Sequence, residues 1–171
     1  DGSNLTGVAS TENIRTNTNA TFLQNINVGV AITAGKLGIG FTDNNIKIGS
    51  TALNSLTTGV RNTAIGSGAL DANTTADNNI AIGDQALGAN TTGSNNVAIG
   101  RNAMIVNTTT DNNTAVGRSA LQQNAAANNT AVGRDALAAN TTGANNVAVG
   151  AYALDANTTA GDNTAVGYGA L

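Results

Sequence analysis

Residues 95–112 read N-N-V-A-I-G-R-N-A-M-I-V-N-T-T-T-D-N, and the next residues begin the same pattern again. The general form, N-[NT]-A-[IV]-G-x-x-A-L-x-x-N-T-T-x-x, recurs from residue 46 to the end of the sequence. An aliphatic-Gly pair marks each copy: Ile48-Gly49, Ile65-Gly66, Ile82-Gly83, Ile99-Gly100, Val116-Gly117, Val132-Gly133, Val149-Gly150 and Val166-Gly167. The steps between pairs are 17 residues, except for one of 16 between Val116 and Val132. So short and regular a period marks a stacked repeat architecture.

Each copy reads as two short strands and two bends. Val97 and Ile99 share one face of the first strand, with Ala98 on the other. A bend follows over Gly100–Asn102. A second strand is predicted from Ala103-Met104 toward Asn107-Thr108-Thr109, and a Gly/Asn/Asp-rich bend closes the copy. Asn, Thr, Val and Gly are all poor helix-interior residues, so helix is disfavoured. The fold class is all-β: a parallel β-solenoid with rungs of about 17 residues, each about 4.8 Å above the last. Residues 37–171 form this repeat domain, with a shortened precursor at 37–45. Residues 1–36 form a connecting segment in which Phe22, Ile26, Val28, Val30 and Ile32 alternate as one strand.

Stacking the copies aligns like residues into columns. Ile82, Ile99 and Val116 belong to an aliphatic column, and Asn79, Asn96 and Asn113 to an all-Asn column. Others hold Ala (Ala86, Ala103, Ala120) and Leu (Leu87, Met104, Leu121). Stacked asparagines can hydrogen-bond along such a column. Asn also suits turns with left-handed backbone, and the pattern alone fits either role. The step of 16 places a missing residue between Asn124 and Asn128, leaving Val116 and Val132 stacked.

Composition fits such a fold poorly to chemistry. Aromatic residues are 2% and charged residues 10%, against about 25% charged in ordinary globular chains. Disorder is opposed by the fixed phase of Ile, Val and Leu. There is no Cys or His, so disulfides, thiolate or imidazole metal sites and Ser-His or Cys-His catalysis are excluded. The acids lie at shifting phases and recommend no catalytic pair, and no G-x-x-x-x-G-K-[ST] phosphate loop occurs. The chain reads as a non-enzyme without cofactor or metal. A net charge of −3 gives no strong case for nucleic acid or an anionic membrane. No apolar run approaches the roughly 20 residues of a membrane span. The sequence starts without Met and stops inside a motif, which suggests a processed chain or part of a longer one.

Three surface features bear on binding. Arg101, Arg118 and Arg134 each follow the repeat Gly and stack on successive rungs. Asp84 and Asp135 are near in phase as counter-charges, and an acidic polysaccharide is a possible ligand beside the plain reading of a solvated edge. Paired threonines (Thr74-Thr75, Thr91-Thr92, Thr108-Thr109, Thr141-Thr142, Thr158-Thr159) would suit ice binding if displayed on a flat β-face, although Thr also suits any exposed strand. N-x-[ST] sequons occur at Asn73, Asn90, Asn107, Asn140 and Asn157, and at a second phase at Asn112 and Asn128. Asp43, Asp77 and Asp111 sit in bends where they could ligate Ca²⁺, but other copies carry Ser94, Ala127 or Ala144 there, which favours turn residues.

The segments Asn95–Ala103 and Asn145–Ala153 resemble the head repeats of trimeric autotransporter adhesins, which are parallel β-rolls of three packed chains. The longer form with A-L-x-x-N-T-T-G resembles repeats of phage and giant-virus tail fibres, also homotrimeric. The resemblance covers about residues 37–171. The repeats here are longer than those of the adhesin heads, and no coiled-coil stalk, membrane anchor or chaperone domain lies within these residues.

The resemblance implies a homotrimeric fibre segment of an attachment organelle, extracellular or on a virion surface, binding a host-surface glycan or protein receptor. Thin rungs support the same oligomeric expectation, with the Ala and Gly columns near the interface. A flattened monomer with Ala filling a narrow interior is the alternative packing. A secreted filament in which residues 18–36 add as a strand to a neighbour, and an ice-binding solenoid, are the alternative functions.

Overall fold

The computed structural model describes residues 44–171. The strand predicted over Phe22–Ile32, the start of the repeat precursor and Asp43 lie outside the described residues. Each copy of the repeat makes one turn of a parallel β-solenoid, and no helix occurs among the described residues.

Every rung contributes one three-residue strand to a single sheet. The strands are β1 (Ile46–Ile48), β2 (Thr63–Ile65), β3 (Ile80–Ile82), β4 (Val97–Ile99), β5 (Thr114–Val116), β6 (Thr130–Val132), β7 (Val147–Val149) and β8 (Thr164–Val166). They pair in parallel in chain order. Ile82 lies opposite Ile99, and Ile99 opposite Val116. Across the short step, Val116 still pairs with Val132. The missing residue falls between Asn124 and Asn129. Asn124 Nδ2 donates to the carbonyl of Ala126, two residues on, whereas Asn90 and Asn140 reach the carbonyl three residues on.

The predicted second strand is absent. The segment from Ala103 to Thr109 is a run of turns and bends. Its cause is backbone conformation: Met104 has φ +49°, and Leu70, Leu87, Leu121 and Leu137 occupy the same left-handed region at +50° to +53°. Inter-rung bonding continues there even so. Leu70 N–H donates to Ala86 O at 3.1 Å, and Thr74 N–H to Thr91 O at 3.1 Å.

The two sides of the strand also take the opposite roles from those expected of residue size. Ala64, Ala81, Ala98, Ala115, Ala131 and Ala148 point inward and are fully buried within the single chain. The flanking Ile, Val and Thr residues point outward and are partly or largely exposed. The second Ala column (Ala69, Ala86, Ala103, Ala120) is buried as well, beside the Leu column. The Ala columns therefore do not wait for a neighbouring chain, as the thin-rung argument expected; they fill a narrow interior. Sheet and turn backbones approach closely there, leaving room for methyl groups, one Leu or Met per rung, and asparagine amides.

The repeat Gly turns the chain off the sheet. Gly100 has φ +131°, and a Cβ there would sit 2.5 Å from the carbonyl oxygen of Gly117 in the next rung. Only glycine satisfies both constraints.

Candidate functional site

Two asparagine columns run through the interior, the first bonded from Asn45 to Asn163 and the second in two runs, Asn73–Asn107 and Asn124–Asn157. In the first, Asn79 Oδ1 accepts the backbone N–H of Asn96, and Asn96 Oδ1 that of Asn113, each at 2.9 Å. Asn79 Nδ2 donates to Gly93 O at 2.9 Å, a carbonyl of the turn closing the same rung. The residue before each ladder member does the other job. Asn78, Asn95 and Asn112 have φ of +59° to +61° and shape the bend. The two roles open to Asn in the sequence are thus divided between the two members of each Asn pair.

The second ladder is the sequon column. Asn90 Nδ2 donates to Asn73 Oδ1 at 3.3 Å and to Gly93 O at 2.9 Å. Asn73, Asn90, Asn107 and Asn140 are fully buried, while Asn112 and Asn128 are exposed.

The three arginines form an exposed strip along one edge. Arg101 Nε lies 3.5 Å from Asp84, Arg118 Nη2 lies 3.5 Å from Asp135, and Arg134 Nε lies 3.2 Å from that same carboxylate. Asp135 thus bridges two rungs. The Arg side chains remain more than half exposed, so these pairs hold the strip in place more than they stabilise the fold. The Arg134 guanidinium stacks over the Tyr152 ring at 4.4 Å, and Tyr152 meets Tyr168 edge-on with centroids 5.7 Å apart. Sequence reasoning missed the tyrosines. Their signal was phase: Tyr168 directly follows a repeat Gly, as the arginines do, and Tyr152 sits one place later. Cations and ring faces in one line suit planar or anionic ligands.

The threonine pairs lie in bends and not on a flat strand. In three of the pairs the first hydroxyl is directed along the stack: Thr74 Oγ1 donates to Thr91 O at 3.2 Å, Thr91 Oγ1 to Thr108 O at 3.1 Å and Thr141 Oγ1 to Thr158 O at 2.8 Å. The acidic bends act likewise. Asp77 Oδ1 accepts Val60 N–H at 2.8 Å, and Asp111 Oδ1 accepts Ser94 N–H at 2.6 Å.

The remaining surface is the outer sheet face. One column holds Ile48, Ile65, Ile82, Ile99, Val116, Val132, Val149 and Val166; the other mixes Ile46, Ile80, Val97 and Val147 with Thr63, Thr114, Thr130 and Thr164. Ile48 is 45% exposed and Ile80 39%, high values for large aliphatics in ordered strands. Sequence reasoning missed this face, because alternation separates the two sides of a strand without saying which is inner.

No protein-family model matches the chain, and no curated protein or solved structure is similar to it at a significant level.

Proposed function

We propose that this chain is a structural fibre segment of an attachment organelle, a viral tail fibre or a surface adhesin, acting as a homotrimer outside the cell or on a virion. Its work is mechanical: a stiff shaft that gives reach and displays a binding edge. The observation that carries this reading is the uncovered aliphatic face. It runs without interruption along all eight strands, a length of about 34 Å at about 4.8 Å per rung. Contiguous apolar surface of this extent marks an interface. Two columns per chain, one all-aliphatic and one of Ile, Val and Thr, make a continuous strip, and three such strips can close around an axis.

A mechanical shaft needs no catalytic chemistry, and the proposal keeps the chain a non-enzyme. The hydrogen-bonding groups of the interior ladders bond to one another and to backbone. The Arg101, Arg118 and Arg134 strip with Tyr152 and Tyr168 is the surface best suited to a host glycan or protein receptor.

Sedimentation tests the assembly. The chain is expected to run as a folded trimer, and Ile82→Lys with Ile99→Lys should convert it to a folded monomer. A wild-type chain that is a folded monomer at micromolar concentration overturns the trimer. In that case the face has a second reading, ice binding, favoured by Thr63, Thr114, Thr130 and Thr164 standing in one outward column beside aliphatic neighbours. An ice-recrystallisation assay on the monomer decides it. The strand-addition filament rests on residues 18–36, outside the described residues.

A further inference from the structure

Five sequons share the phase of the second asparagine ladder; Asn73 Nδ2 donates once, to Ala76 O, and the other four amides each donate twice. Asn107 Nδ2 donates to Asn90 Oδ1 at 3.2 Å and to Thr110 O at 3.2 Å. Asn140 Nδ2 donates to Asn124 Oδ1 at 2.9 Å and to Gly143 O at 2.8 Å. Asn157 repeats the arrangement against Asn140 and Ala160. An amide nitrogen has two N–H groups, and in these residues both are spent inside the stack. Asn73, Asn90, Asn107 and Asn140 have no accessible surface.

Asparagine glycosylation replaces one of those hydrogens. The Asn Nδ2 bonds to the anomeric carbon of a lipid-diphosphate-linked oligosaccharide. The bond from that carbon to the diphosphate oxygen breaks, the lipid diphosphate leaves, and one amide proton is lost. The product retains a single N–H and carries a sugar larger than the spacing of about 4.8 Å between rungs. On Asn90 that sugar would stand between Asn73 and Asn107, where the next rungs pack.

We infer that glycan transfer to the ladder asparagines and formation of this solenoid exclude one another, so the chain folds only where it escapes oligosaccharide transfer. Among the described residues, the sequons able to carry a glycan on the folded solenoid are Asn112 and Asn128, which are exposed at bends with φ +61°. Two further sequons, at Asn4 and Asn19, lie outside the described residues. Transfer precedes packing, since it needs an accessible amide. A chain carrying these sequons through a glycosylating secretory route would therefore be marked before its ladder could close. The inference stands whether or not the chain is a fibre.

The test is to produce the full chain in one eukaryotic cell line, with and without a secretory leader. Glycan occupancy is mapped site by site by mass spectrometry, and folding is read by protease resistance and circular dichroism. The cytosolic chain should be unmodified and protease-resistant. The secreted chain should carry glycans at ladder positions and be cleaved readily. Folding of the secreted chain should return when Thr75, Thr92, Thr109, Thr142 and Thr159 are all changed to Ala. Those threonines are exposed, and removing them abolishes the five sequons while keeping every ladder Asn. An inhibitor of lipid-linked oligosaccharide synthesis should rescue the wild-type secreted chain in the same way, independently of any substitution. A secreted chain that folds with its ladder sequons unmodified still supports the exclusion, whereas two results overturn it: a protease-resistant chain glycosylated at Asn90 or Asn107, or failure of the inhibitor to restore folding.

Discussion

The side-chain Oδ1 of Asn79 accepts the backbone N–H of Asn96 across one rung, at 2.9 Å. The side chain thus supplies a rung-to-rung bond just before the strand pairing begins. The same contact recurs from Asn45–Asn62 to Asn146–Asn163. Removing one amide therefore strands a buried backbone donor in the following rung. Asn96→Ala should lower stability by about 1–3 kcal/mol, the cost of an unpaired buried group. Thr110 O loses less, because Asn107 also donates to it. Urea unfolding of the variant against wild type checks this, and an unchanged midpoint would show the ladder to be dispensable.

Gly100 and Gly169 make a matched pair for the backbone. A Cβ on Gly100 meets Gly117 O at 2.5 Å and must also tolerate φ +131°, whereas one on Gly169 meets nothing within 4 Å and has φ +59°. Gly100→Ala combines a strained backbone with overpacking, together about 2–6 kcal/mol. Gly169→Ala should cost about 1–2 kcal/mol, from left-handed backbone alone. Thermal melts of the two variants should differ widely, and equal melts would show that the inter-Gly contact is not limiting.

The bend asparagines separate conformation from burial. Asn112 is exposed and has φ +61°. Asn112→Gly should be neutral or slightly stabilising, since Gly adopts this conformation freely. Asn112→Val should cost about 1–2 kcal/mol although it touches no core, because a β-branched residue is strained there. Urea midpoints rank the two variants, and a Val variant as stable as the Gly variant would show that this bend can relax.

Period, register and the position of the missing residue were legible because each is set by spacing alone. Val116 and Val132 could be matched by counting. The left-handed leucines were not legible: Leu87 carries no mark of φ +53°, a conformation ordinarily left to Gly, Asn or Asp. Without that knowledge, Ala103–Thr109 resembles a strand. Which face of the strand is inner was not legible either. Large aliphatics normally go inside, but the interior already holds one Leu or Met per rung, and on the sheet side it takes Ala98 in place of Ile99. Of the candidate binding edge, the Arg101–Asp84 and Arg118–Asp135 pairings followed from phase, while the stacking of Arg134 on Tyr152 depends on a rotamer that spacing does not specify.

The short rung offers a test of register by insertion. One Thr inserted between Ala125 and Ala126 restores a step of 17 and lets Asn124 reach a carbonyl three residues on, as Asn140 does. It lengthens only a bend, so its effect should stay below about 1 kcal/mol. One residue inserted between Ala98 and Ile99 instead swaps the faces of β4 and should abolish folding. Circular dichroism and protease resistance distinguish them, and loss of structure in the first variant would misplace the gap.

Ala98 and Ile99 are adjacent in sequence and opposite in role. Ala98 is wholly buried inside one chain, between Ala81 and Ala115 of the neighbouring rungs. Ile99 projects from the outer face and is incompletely covered. Ala98→Phe should therefore disrupt the single chain, costing at least the roughly 1–3 kcal/mol of an overpacked core. That loss should be independent of protein concentration when assembly is already broken by Ile82→Lys. Ile99→Lys should leave the chain's own rungs intact, since the ammonium can reach water, but it places a charge in the apolar strip proposed to join three chains. Its effect should appear as a smaller sedimenting species and as loss of the concentration dependence of the wild-type melting temperature. If Ala98→Phe leaves the melting temperature unchanged, the assignment of the Ala column to the interior fails. If Ile99→Lys unfolds the monomer outright, the face is part of the core and the proposed interface must lie elsewhere.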